Sequence, residues 1–158
     1  MNESVYHRDF TLDNIYLDRF GRLKSAFLLY FVQEISADHA ASLGASWEDL
    51  AQKNLFWAII RHRVRVARLP RKNEPIRLET WPMPTTRTCY PRSTVAYDEA
   101  GRELFRSVGL WVLMDRESRA MILPGKSGVE VQGLLTGTEL SNPGSLAPRE
   151  MENLFKRQ

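Results

Sequence analysis

The stretch Ser25-Ala26-Phe27-Leu28-Leu29-Tyr30-Phe31-Val32-Gln33-Glu34-Ile35-Ser36-Ala37-Asp38-His39-Ala40-Ala41-Ser42-Leu43 contains neither Pro nor Gly and is closed by Gly44. Ser25 is placed to cap a helix, and Gly44 to supply the left-handed residue that stops one, so the segment predicts a helix of about five turns. Its first half, Ala26 to Val32, is apolar all round, whereas Gln33, Glu34, Ser36, Asp38 and His39 bring polarity to the second half. A helix apolar on every side must be enclosed, and the rest of the chain has to supply the enclosure.

Upstream of this helix, Val5 to Leu12 alternates like a half-buried strand, and Asp13 to Lys24 follows neither period and reads as a loop. Downstream, Ser46 with Asp49 three residues on caps a second, shorter helix that ends near Asn54. The pattern then turns extended. Leu55 to Leu69, Ile76 to Trp81, Tyr90 to Tyr97, Glu103 to Met114 and Ala120 to Leu123 are rich in β-branched and aromatic residues, and short turn-forming links make them antiparallel. Ser107 to Met114 is apolar on both parities, so something must cover both faces of that strand. One strand, an apolar helix, a short helix and an antiparallel meander predict an α+β domain with the hotdog fold, a long central helix wrapped by a curved antiparallel sheet. Beyond Pro124 the chain is rich in Gly, Ser and Thr; Ser141 to Ser145 reads as a linker, and Pro148 opens a short helix with Met151, Leu154 and Phe155 on one face.

Composition narrows the function classes. A chain of 158 residues, 43% hydrophobic and 26% charged, is sized and balanced for one folded domain and is neither disordered nor collagen-like. The longest apolar run, Ala26 to Val32, falls far short of the roughly 20 residues that cross a bilayer, so no membrane span is expected. Glu3, His7, Arg8 and Asp9 stand where a signal peptide needs an apolar core. Cys89 is the single cysteine; with no disulfide or zinc cage available to it, a cytoplasmic location is expected. The net charge of +3 is unevenly spread, because nine basic residues face only Glu74 and Glu79 between Arg61 and Arg92. That region is suited to meeting anions. It lacks interleaved aromatics, so nucleic acid is not the expected partner. No GxGxxG, GxSxG, HExxH or CxxC occurs, and Gly125-Lys126-Ser127 ends like a P-loop but has Ala120 where the first Gly belongs. No metal or cofactor is expected.

The ordered series Asn54-Leu55-Phe56-Trp57, Glu79-Thr80-Trp81, Asp98-Glu99-Ala100-Gly101 and Trp111-Val112-Leu113-Met114-Asp115, with Ser118-Arg119, resembles the acyl-acyl-carrier-protein (acyl-ACP) thioesterases. Val32-Gln33-Glu34 and Asp38-His39-Ala40 look like the helix of the same family, and the resemblance spans residues 5 to about 130. It implies a thioester hydrolase that releases fatty acids from acyl-ACP or acyl-CoA in fatty acid biosynthesis. Members of that family usually carry two hotdog domains, the first lining the acyl pocket and the second supplying catalysis, and this chain matches the first. Residues 1–135 are then the hotdog thioesterase-like domain, with 136–158 a linker and short C-terminal helix. A homodimer or higher homo-oligomer would replace the second domain. The alternative is a non-catalytic hotdog module that binds acyl-ACP or acyl-CoA, or a ligand sensor.

The family's catalytic Asp-x-Asn-x-His is matched here by Asp18-Arg19-Phe20-Gly21-Arg22, which keeps only the Asp. Thioester hydrolysis needs a carboxylate to attack or to activate water, and Asp18 is the leading candidate; Gly21 would let backbone and substrate approach closely. Glu34, in the largely apolar helix, is a second candidate if desolvation raises its pKa. His39 lies about 140° around the helix from Glu34, so the two form no dyad; His39 and His62 read as structural, as does Cys89. Phe27, Phe31, Trp57 and Trp111 would line an acyl tunnel between helix and sheet. Arg61, Arg63 and Arg65 alternate on a strand and project from one face, a docking face for acyl carrier protein or coenzyme A, with Ile60, Val64 and Val66 packed behind.

Overall fold

The computed structural model describes residues 4–144. The helix expected at Pro148, with Met151, Leu154 and Phe155, lies outside the described residues. The chain runs through strand β1 (Tyr6–Thr11), a 3-10 turn (Asn14–Tyr16), helix α1 (Ser25–Ser42), helix α2 (Trp47–Gln52), strands β2 (Leu55–Val66), β3 (Pro75–Pro82), β4 (Tyr90–Tyr97), β5 (Glu103–Asp115) and β6 (Met121–Ile122), and a single helical turn α3 (Pro124–Ser127). All strand pairs are antiparallel, in the order β1-β3-β4-β5-β2, with β6 also paired to β5. This is the α+β architecture the periodicity predicts.

The two helix boundaries illustrate different end chemistry. Ser25 is the first residue of α1 and not its cap; Lys24 holds the cap position and makes no side-chain capping hydrogen bond. At the other end Gly44 adopts φ +73° and the Ala45 N–H reaches back to the Ala40 carbonyl at 2.9 Å, closing the helix as expected. The shorter α2 carries the full capping box: the Asp49 N–H donates to Ser46 Oγ at 3.0 Å while the Ser46 N–H donates to Asp49 Oδ2 at 3.0 Å.

α1 is not enclosed on every side. Leu28, Val32, Ile35, Ser36 and His39 are buried, a stripe at helical spacing, while Leu29 and Tyr30 remain exposed. One sheet covers one helix face, and apolarity all round exceeds what a single layer can bury. The buried stripe meets Ile76, Leu78, Ala96 and Phe105 from the sheet. The opposite face of the sheet is covered as the doubly apolar β5 requires: Leu134 and Leu140 pack on Trp81, Met83, Val95 and Val108. Hydrogen bonds fix this returning segment, from the Leu134 N–H to the Pro82 carbonyl (2.8 Å), from Trp81 Nε1 to Glu139 (3.0 Å) and from Arg106 Nη1 to Thr138 Oγ1 (3.0 Å).

Candidate functional site

Paired residues on neighbouring strands share a face, so register locates side chains across the sheet. Tyr90 pairs with Trp111 and Arg92 with Gly109 on β4 and β5, and Trp57 of β2 pairs with Leu113. Trp57, Tyr90, Arg92 and Trp111, with the C-terminal half of α1 and the start of α2, enclose a cleft of about 880 Å³. Its apolar wall is Trp57, Trp111 and Tyr90. Trp57 donates from Nε1 to the Ala45 carbonyl (3.0 Å) and meets the Tyr90 ring edge-on at 5.0 Å, and Tyr90 Oη donates to the Val129 carbonyl (2.9 Å). Trp57 and Tyr90 are thus held by their polar ends while their rings face the cleft.

The helix side of the cleft is lined by small or polar residues, among them Ser36, His39 and Ala40. Beneath them Arg92 donates from Nη1 to His39 Nδ1 at 2.9 Å and toward Thr80 Oγ1 at 3.4 Å. A guanidinium only donates, so Nδ1 of His39 accepts and its ring proton sits on Nε2. Desolvation pulls the Arg92 guanidinium down to about 10, which leaves it charged at neutral pH. None of the ion pairs among the described residues involves Arg92. A second depression of about 790 Å³, between β1, β3 and the β4–β5 hairpin, is more open and lined by charged residues such as Asp9 and Arg77, which pair at 3.2 Å.

The sequence-predicted residues do not converge on one place. Trp57 and Trp111 line the cleft. Phe27 and Phe31 do not; they pack with Tyr16, and Phe31 stacks on Phe10 at 4.8 Å, on the flank of the filled core. The four rings therefore do not form one tunnel. Glu34 is exposed, so the desolvation expected of it is absent; its charge instead pushes the Tyr30 phenol up.

Asp18 closes its own loop. Its Oδ1 accepts from the N–H of Phe20 (2.8 Å) and of Arg22 (3.1 Å), and its Oδ2 accepts from Arg22 Nε and Nη2 (both 3.2 Å). The Arg22 N–H above all holds the carboxyl below its ordinary value. The same five-residue grammar recurs at Asp98-Glu99-Ala100-Gly101-Arg102 in the β4–β5 hairpin, where Asp98 accepts from Ala100 N (3.0 Å), Arg102 N (2.8 Å) and Arg102 Nε (2.9 Å). Gly21 takes φ +72° and an added Cβ would meet nothing within 4 Å, so the turn's conformation, and not a close approach, requires glycine there.

Arg61, Arg63 and Arg65 pair with Leu110, Val108 and Arg106, so they do project from one face of β2. Arg63 is tied to the Ser141 carbonyl (3.0 Å) and Arg65 to Glu103 (3.1 Å). A β-bulge between Ile59 and Arg61 moves Ile60 onto the Leu110 and Val112 cluster, and Val66 is exposed, so of the three residues expected behind the arginines only Val64 packs on the helix-side core. Burial pushes His62 down, and its Nε2 has no hydrogen-bond partner among the described residues. Arg92 and Tyr90 had no signal of their own in the sequence; only strand register brings them to the cleft. Among the described residues no cluster of His, Cys, Asp and Glu could hold a metal ion, and no helix is long and apolar enough to cross a membrane.

A long helix laid on a six-stranded antiparallel sheet with this strand order, and a cleft between them, defines a hotdog-fold protein. The structure superposes on an acyl-ACP thioesterase from Bacteroides thetaiotaomicron with a TM-score of 0.80 at 19% identity, covering 92% of this chain and 59% of that one. It superposes on a DHNA-CoA thioesterase from Staphylococcus aureus with a TM-score of 0.69 at 13% identity, covering 75% and 80%. The chain belongs to the acyl-ACP thioesterase family, whose N-terminal domain it matches over residues 3–123. It is 28% identical over 113 residues to the chloroplastic palmitoyl-acyl carrier protein thioesterase of Gossypium hirsutum, covering 67% of this chain and 27% of that protein. The chain thus spans about a quarter of the length of the curated relatives it matches.

Proposed function

We propose that this chain is a thioester hydrolase that takes the fatty acyl group of acyl-ACP, or of acyl-CoA, into the cleft between α1, α2 and the sheet. The observation that carries the reading is the cleft itself, about 880 Å³ walled by Trp57, Trp111 and Tyr90. An alkyl chain gains free energy by leaving water for such a wall, at about 25 cal/mol per Å². The outer edge of β2 pairs with no other strand among the described residues, and Leu29 and Tyr30 are exposed on α1. Both features support a homodimer in which a second copy stands in for the second hotdog domain. Arg61, Arg63 and Arg65 are the face offered to an acidic carrier protein, and a cytoplasmic setting suits the buried Cys89 thiol.

Hydrolysis adds water to the thioester carbonyl; the C–S bond breaks and the thiol leaves with a proton. Asp18 is the proposed base; it does not line the cleft of its own chain, so it would act on the thioester held by the second copy of the dimer, and Arg22 must move off Oδ2 to free it. The four donors on its carboxylate favour a second reading, a non-catalytic acyl-binding module, and one experiment separates the two. Thiol release is measured from acyl-ACP and acyl-CoA panels with wild type and Asp18→Asn. The expected result is turnover that falls at least 100-fold in the variant. Turnover that survives removes Asp18 from the chemistry, and acyl-thioester binding without any turnover establishes the module.

A further inference from the structure

A half-buried cation beside the aromatic wall of the cleft needs an explanation that core packing does not give. Arg92 lines the cleft among Trp57, Trp111 and Tyr90, and among the described residues it is the single Lys or Arg in the lining. Among the described residues its hydrogen bonds go to one ring nitrogen of His39 and to the Thr80 hydroxyl, neither of them a carboxylate. The acidic residues of the lining do not neutralise it: Asp38 pairs with Arg8 at 3.1 Å, and Glu48 and Glu130 are exposed. The guanidinium keeps its charge at neutral pH. It is held by Nη1 on one side, which leaves donors of a planar fork for a ligand.

We infer that Arg92 is a specificity residue that reads a carboxylate at the end of an alkyl chain lodged in this cleft. The inference rests on the acyl-binding reading above and adds the polar function that the ligand carries. A lone guanidinium matches a singly charged, planar carboxylate, whereas a phosphate carries more charge than one cation balances. The flanking rings require the rest of the ligand to be apolar, so the ligand is an amphiphile. The carboxylate has two chemical sources. It is either the free acid that thioester cleavage releases or a distal carboxylate on the acyl chain itself.

Calorimetry on the full chain tests this with decanoate, decanol and two non-hydrolysable decyl-pantetheine thioethers, one plain and one with a terminal carboxylate. Wild type is expected to bind decanoate at least tenfold tighter than decanol, and Arg92→Gln to bind the two equally. Arg92→Lys, which keeps the charge and loses the fork, is expected to retain part of the preference. If the carboxylated thioether gains over the plain one in an Arg92-dependent way, the source is the distal end of the substrate. If only decanoate shows that dependence, the source is the released acid. A measurement on wild type alone removes any concern over folding: the 13C-carboxyl of bound decanoate should titrate below its value in water. Equal binding of decanoate and decanol, a preference that survives Arg92→Gln, or no binding of any probe overturns the inference. Turnover of acyl-ACP without the carboxylate preference leaves the hydrolase reading standing, and the preference without turnover does the reverse.

Discussion

The two halves of α1 face the same sheet and do opposite things. Toward the N-terminus, Leu28 and Val32, with Ile35 just past the midpoint, fill the space to Ile76, Leu78 and Ala96, and Phe27 and Phe31 close the flank with Phe10 and Tyr16. At the C-terminal half, Ser36, Ala37, Ala40 and Ala41 are too short to reach the sheet, and the aromatics that could fill the gap, Trp57 and Tyr90, are fixed by hydrogen bonds to Ala45 and Val129. One half is a core and the other is a core left unfilled. The difference comes from side-chain volume on one helix, with no change of fold.

Changing volume on either side of that divide should have unlike effects. Ile35→Ala opens a void in the filled half, where Ile35 is 1% exposed, and is expected to cost about 3 kcal/mol in urea unfolding. Ala40→Trp adds volume where space already exists; it is expected to leave unfolding nearly unchanged while weakening decanoate binding at least tenfold, or about 1.4 kcal/mol. An Ala40→Trp variant that unfolds easily and still binds would mean that the cleft is not the ligand site. The smallest effect is in pH. Burial lowers His62 below its ordinary 6.5, so the unfolded chain takes up this proton first as pH falls. Stability from this group is therefore complete above about pH 6.5 and declines as pH drops toward the folded value. Thermal melts between pH 7 and 5 should show the decline, and His62→Gln should flatten it.

Most of the fold was legible in the sequence because its signals are local. Gly44, the Ser46 and Asp49 box, and the β-branched and aromatic runs of β3 and β4 each act over a few residues, and the elements appear where these signals put them. What could not be read depends on partners far along the chain. Which face of α1 stays exposed depends on there being one covering sheet, and the side chosen by Ile60 depends on a bulge that alternation does not announce. Asp18 was legible as a residue and not as an environment: Asp98, likewise followed by Gly three and Arg four residues on, has the same pattern of donors in a plain hairpin. Arg92 was counted as one charge among nine in a basic region, whereas its setting comes from pairing with Gly109 and from the turn of α1 that carries His39.

The returning segment that covers the outer face of the sheet also dictates an order of events during synthesis. Trp81, Val95 and Val108 are emitted by the ribosome well before Leu134, Glu139 and Leu140, which cover them. Gly133 must then pass so close to Pro84 that an added Cβ would sit 2.3 Å from its nitrogen, so the segment closes over a turn that already exists. Until those last residues emerge, the nascent sheet is greasy on its outer side, and that interval is when the growing chain is most exposed to misassociation.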